Sequence, residues 1–273
     1  MERTAPGRTF RERLERSWER SGSLLCVGLD PDLDTVRACL PGSDRPILEF
    51  CRSVVDATAD LVCAFKPQIA HFAAARAEAD LETLIAYIHE AYPGVPVILD
   101  AKRGDIGASA EQYAREAFER YGADALTVNP YLGWESIEPY RRPGRGVVLL
   151  CRTSNPGSDW LQEHPAGDPL YLRVAREARE RDAGDLMLVA GATWPEELAA
   201  IRRAAGDLPL LVPGVGAQGG DPAAVREQGA DSRGRGLVVN ASRSVIFASV
   251  GPDFREAARD SARSLHSLLR LAG

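Results

Sequence analysis

Short apolar runs rich in Val, Leu and Ile recur along the chain, and each is followed by a longer stretch with helical periodicity and a polar face. The runs fall at residues 24–29, 63–66, 95–100, 125–129, 146–152, 186–192, 208–212 and 237–240. They are continuous rather than alternating, as in parallel strands buried on both faces. Helical patterns fill the intervals at 47–59, 81–92, 110–121, 171–181, 195–204 and 254–271. Thr193-Trp194-Pro195-Glu196 and Gly251-Pro252-Asp253 read as helix starts, with proline or an acid early in the first turn. Strict strand-then-helix alternation permits an open doubly wound sheet or a closed barrel. Eight units in about 250 residues point to the barrel, a (β/α)8 TIM barrel forming one domain over residues 1–273.

Residues 1–22 precede the first strand, and within them Phe10, Leu14 and Trp18 lie four residues apart. That spacing predicts an extra amphipathic N-terminal helix that packs over the barrel bottom. The polar loops at 141–146 and 231–236 come before strands and belong to the same, non-catalytic face. The long segment 155–168 follows the fifth strand, on the face where barrels keep their chemistry, and is a candidate lid.

Polar residues gather at the C-terminal ends of the runs: Asp30, Lys66, Asp100 with Lys102 and Asp105, Asn129, Ser154 and Arg243. One charged side chain at a strand end has an ordinary explanation, since strands finish in water. So many on one barrel rim converge on a pocket. In extended geometry Asp100 and Lys102 face the same side, presenting a carboxylate and an ammonium together. The alternating acid-base-acid array Asp100-Ala-Lys-Arg-Gly-Asp105 can hold a lysine charged and aimed as a proton donor. The Gly214–Gly220 loop and Arg243 follow the seventh and eighth runs, where barrels commonly bind phosphate. An arginine there can pair a phosphate bidentately.

Composition narrows the field. Lys and Arg total 33 against 39 Asp and Glu, a net charge of -6 with no long basic stretch, so nucleic acid is not an expected partner. The five cysteines form no CxxC pair, and Cys26, Cys63 and Cys151 sit inside apolar runs, as buried reduced thiols do. The four histidines are scattered without zinc-site spacing, so no metal and no cofactor are expected. No stretch reaches the ~18–20 apolar residues of a membrane span, and residues 1–7 lack a signal-type apolar core, so a cytoplasmic location is expected.

Taken together, Leu29-Asp30, Phe65-Lys66-Pro67-Gln68, Asp100-Ala-Lys102-Arg-Gly-Asp105-Ile106, Thr153-Ser154-Asn155-Pro156-Gly157, Val212-Pro213-Gly214-Val215-Gly216-Ala217-Gln218-Gly219-Gly220 and Ser242-Arg243-Ser244 resemble the orotidine 5'-monophosphate decarboxylase family. The form of the segments is similar to the longer bacterial branch, and the resemblance spans nearly the whole chain. It implies decarboxylation of orotidine 5'-monophosphate to UMP in pyrimidine biosynthesis. By the resemblance, Lys66, Asp100, Lys102 and Asp105 match a Lys-Asp-Lys-Asp network, with Asp105 reaching into the site of a second subunit of a homodimer. Asp30 matches a ribose ligand, Ser154 the residue that reads the pyrimidine, and Gln218 and Arg243 the phosphate ligands. Ile106, Ser109, Pro213 and Ser242 match further substrate-binding positions. Ser109 stands where threonine is common and Ser242 where glycine is common; both remain small.

Losing carboxylate from C6 of a pyrimidine leaves an electron pair with no adjacent carbonyl to accept it. Lys102 is the expected group to attract that charge and protonate C6, with Asp100 and Asp105 keeping it charged and oriented. Two other readings stay open on the residues: a magnesium-dependent barrel that decarboxylates a 3-keto-sugar phosphate, and a catalytically silent nucleotide-binding barrel.

Overall fold

The computed structural model describes residues 9–215 and 220–271. Eight strands, β1 (Leu25–Leu29), β2 (Ala64–Pro67), β3 (Ile98–Arg103), β4 (Ala125–Val128), β5 (Gly146–Arg152), β6 (Leu186–Ala190), β7 (Leu210–Pro213) and β8 (Leu237–Ala241), form one parallel sheet in the order β2-β1-β8-β7-β6-β5-β4-β3. The bridges Phe65↔Val97 and Gln68↔Asp100 join its two edges, so the sheet closes into a (β/α)8 barrel. Every residue of β1, β2, β4, β6 and β8 is buried, which is why the runs read as continuously apolar.

The third strand departs from the expected 95–100 window. Pro96 has no N–H to give to a ladder, and the strand begins at Ile98 and continues through Lys102 to Arg103. Its pairing with β4 shifts register between Leu99 and Arg103, and Lys102 has φ +47. Asp100 and Lys102 are therefore not presented by simple strand alternation; the backbone turns at the lysine. The 110–121 helix is two pieces, Gly107–Arg115 and a π-helical turn Glu116–Arg120. Short helices at Leu33–Cys39, Ile69–Ala74 and Arg243–Ile246 carry too few turns to show a periodic pattern in sequence.

The expected N-terminal helix is α1 (Phe10–Ser21), started by a reciprocal cap in which Glu12 N–H donates to Thr9 Oγ1 and Thr9 N–H donates to the Glu12 carboxylate. It closes the bottom of the barrel. Trp18 Nε1 donates to Leu237 O at 2.9 Å and Ser17 Oγ to Cys63 O at 2.7 Å, both at strand starts. Gly146 is required here because a Cβ would lie 2.5 Å from the Phe10 ring. The 231–236 loop lies against the same helix through Arg233–Glu15 and Arg235–Glu19. All five cysteines are buried and free. No helix among the described residues is long and apolar enough to cross a membrane.

Candidate active site

With the bottom sealed, the strand C-termini open onto a cavity of about 530 Å³, within the ~300–1,000 Å³ range of ligand pockets. Asp30, immediately after β1, Lys66 on β2, and Asp100 and Lys102 on β3 line one wall. Lys66 Nζ donates to Asp100 Oδ2 at 3.0 Å and lies 3.9 Å from Asp30, while Lys102 Nζ donates to Asp100 Oδ1 at 2.7 Å. Asp100 thus bridges two ammonium groups of different surroundings, Lys66 with a side chain 5% exposed and Lys102 48% exposed. The buried lysine is fixed in place and the exposed one faces the cavity.

Burial pushes the Asp100 carboxyl upward, but the charges of Lys66 and Lys102 outweigh it and hold the group at about 2. Burial pulls the Lys66 ammonium down, and the charges of Asp30 and Asp100 reverse that and carry it above its ordinary value. Both groups are ionised at neutral pH. Asp30 Oδ1 is buried and, apart from the 3.9 Å ion pair with Lys66, accepts no hydrogen bond among the described residues, leaving acceptor capacity for a ligand hydroxyl.

The opposite wall follows β5. Thr153, Ser154, Asn155 and Gln162 line the cavity, and Gln162 pins the segment by accepting from Thr153 N–H and donating to Thr153 Oγ1, each at 2.9 Å. Arg152, 1% exposed, anchors the same segment through Ser158 and Glu163. The candidate lid is a short helical segment here, with Trp160 75% exposed. Leu150, Val189 and Leu211 make an apolar patch on which a flat ring can rest.

At the far end Pro213, Gly214, Val215, Ser242 and Arg243 meet. Gly214 has φ +100, a conformation that suits glycine. Gly28 is fixed by the same corner, since a Cβ there would fall 1.9 Å from Ser242 Oγ. Arg243 is exposed and pairs with no carboxylate among the described residues, leaving its guanidinium for an anion.

Of the expected site residues, Asp30, Lys66, Asp100, Lys102, Ser154, Pro213, Ser242 and Arg243 line this cavity. Gln218 lies outside the described residues. Asp105, Ile106 and Ser109 do not line it: Asp105 accepts from Ile106 N–H at 2.8 Å, and Ile106 and Ser109 are exposed. The turn at Lys102 takes the chain off the strand before Asp105, so the acid-base-acid array is broken within one chain. Asn129 is also absent from the lining; its side chain accepts from Tyr131 N–H and caps the next turn. Two further residues line the cavity that the sequence reading does not name, Thr127 because it is a polar residue inside an apolar run and Asn240 because a neutral amide closing a run carries no charge signal. Among the described residues no three His, Cys, Asp or Glu side chains are grouped to hold a metal.

A closed parallel barrel with two lysines sharing a buried carboxylate, and an arginine across the cavity, defines a barrel site built for an anionic ligand. The model of the Orotidine 5'-phosphate decarboxylase / HUMPS family matches residues 23–260, and the chain belongs to that family. It is 57% identical over 254 residues to Orotidine 5'-phosphate decarboxylase of Ralstonia pickettii (strain 12J), covering 92% of this chain and 94% of the relative. The solved structure of Leishmania donovani OMP decarboxylase is similar with a TM-score of 0.81 at 35% identity, covering 97% of this chain and all of that one. Leishmania donovani UMP synthase is similar with a TM-score of 0.83 at 37% identity; this chain, 96% covered, spans 57% of that longer protein.

Proposed function

We propose that the chain decarboxylates orotidine 5'-monophosphate to UMP and carbon dioxide in pyrimidine biosynthesis. The observation that carries the reading is the hydrogen-bonded Lys66–Asp100–Lys102 array facing a cavity of nucleotide size. The family description covers more than one activity, and the relative at 57% identity, which carries the decarboxylase name, favours this one.

In this reading the phosphate lies at Arg243, Gln218 and the backbone beside Pro213 and Ser242. Asp30 takes a ribose hydroxyl on Oδ1, which accepts no hydrogen bond among the described residues, and Ser154 reads the pyrimidine edge. The C6 carboxylate then faces Lys102. The bond from C6 to the carboxylate breaks, carbon dioxide leaves, and the electron pair stays on C6. The ammonium of Lys102 stabilises that charge and transfers a proton to C6. Asp100 keeps the lysine charged and aimed, and Lys66 keeps Asp100 ionised. Phosphate contacts far from C6 supply binding energy for ordering the cavity walls around the ring.

A second copy of the chain completes each site with Asp105, Ile106 and Ser109. Support comes from their position outside their own cavity and from exposed apolar side chains nearby, Ile106 at 58%, Tyr131 at 68% and Leu132 at 45%. Mixing inactive Lys102→Ala and Asp105→Ala chains under subunit exchange restores activity if sites are shared, because each mixed dimer keeps one intact site; no restoration contradicts sharing.

The activity itself is tested by following the ultraviolet absorbance of orotidine 5'-monophosphate, with and without a chelator. Turnover undiminished by the chelator is expected. Turnover abolished by it would favour the magnesium-dependent alternative, and binding without turnover the silent barrel.

A further inference from the structure

Thr127 lies within β4 and is 1% exposed. Its hydroxyl makes three contacts of 2.9 Å: it accepts from the N–H groups of Ala101 and Lys102 and donates to Asp100 Oδ1. A hydroxyl has one donor and two acceptor lone pairs. All three are used inside the protein, so Thr127 lines the cavity with no hydrogen-bonding capacity left for a ligand.

The geometry around it is unusual for a strand. In regular strands successive N–H groups point to opposite sides, whereas those of Ala101 and Lys102 converge on one oxygen, and Lys102 carries φ +47. A lysine in that region persists only where its surroundings over-determine it. The oxygen of Asp100 that takes the Thr127 proton also accepts from Lys102 Nζ at 2.7 Å. One hydroxyl therefore holds the lysine at both ends, directly through its backbone amide and indirectly through the carboxylate that binds its ammonium.

We propose that Thr127 is a positioning residue for proton delivery, one whose hydroxyl fixes the backbone turn of Lys102 and the rotamer of Asp100 so that the ammonium faces the reacting carbon. The inference rests on Lys102 being the proton donor. It assigns Thr127 a role in turnover and none in holding the nucleotide. Thr127→Val keeps shape and removes the hydroxyl.

For T127V we expect kcat to fall by about 10²-fold, the scale of a small misplacement of a reacting group, with UMP affinity unchanged within about twofold. T127S, which restores the hydroxyl, should recover most of the lost rate. T127A reads the same way if T127V does not fold. Unchanged kcat in T127V, a T127S as slow as T127V, or a fall in UMP affinity that matches the fall in kcat would each overturn the role. Turnover of the parent chain separates the two levels: an inactive parent overturns the function, whereas an active parent with an active T127V overturns only the role of Thr127.

Discussion

Two buried aspartates, one at each end of the barrel, are both held at about 2 and do opposite work. Asp124, ahead of β4 at the bottom, is surrounded on every side. Its oxygens accept from Arg13 at 2.5 Å, from Val97 N–H at 2.8 Å and lie 2.8 Å from His89 Nε2, with Arg145 at 3.9 Å. Arg13 belongs to α1 and also donates to Gly144 O, so the carboxylate staples the bottom helix to the strand starts. Asp100 at the top has similar depth and charge compensation, but one of its cations, Lys102, is half exposed and faces a cavity. The same ion-pair physics gives a structural joint where every cation around the carboxylate is spent on protein at the barrel bottom, and in the proposed function a reactive group where one cation faces a cavity open to a ligand.

The sharpest break in the comparison is to neutralise each aspartate in turn. Asp100→Asn removes the charge that orients Lys102, and turnover is expected to fall by about 10³-fold or more. The variant should still fold and bind UMP, since the apolar walls and Arg243 are untouched; a rate within tenfold of the parent would show that Asp100 is a structural ion only.

Asp124→Asn should do the reverse, lowering unfolding stability by about 3 kcal/mol while the rate per folded molecule stays within about twofold. The pH dependence follows from its sign. The folded Asp124 carboxyl sits at about 2, below its unfolded value of about 3.9. Its contribution is therefore present above pH ~4 and lost as pH falls towards about 2. In urea titrations the gap between parent and variant should be full at neutral pH and shrink through that window. A gap independent of pH would mean the loss comes from packing and not from charge.

Arg243→Ala sharpens the top end alone, with kcat/KM expected to fall by about 10²-fold, the scale of a charge-assisted phosphate contact. In the proposed function binding energy at the phosphate helps order the cavity, so kcat should drop as well as affinity; an effect confined to KM would remove that link.

Most of the scaffold was legible because a strand buried on both faces has to be apolar along its length, as β1 and β6 are. The bottom helix was legible because Phe10, Leu14 and Trp18 keep helical spacing, and all three are buried. The site was legible where a charge ends an apolar run, as at Asp30, Lys66 and Asp100. It was not legible where the backbone leaves regular geometry. The left-handed turn at Lys102 depends on Thr127, a residue of β4 that is distant in sequence, and strand alternation cannot reveal it. For the same reason Asp105 reads as a neighbour of Lys102 in sequence and lies outside the cavity in the chain. Asn240, pinned between Cys26 and Ser242, carried no sequence signal beyond being polar at the end of an apolar run.

The division between a bottom that holds and a top that reacts is tested most directly by Lys102→Ala. The variant should melt with the parent and bind UMP, since Lys102 is exposed and its loss leaves Asp100 paired to Lys66. Its release of carbon dioxide from orotidine 5'-monophosphate, measured in a single-turnover assay at saturating protein, should drop to background. Release near the parent rate would contradict the assignment of Lys102 as the proton donor and, with it, the account of the top of the barrel.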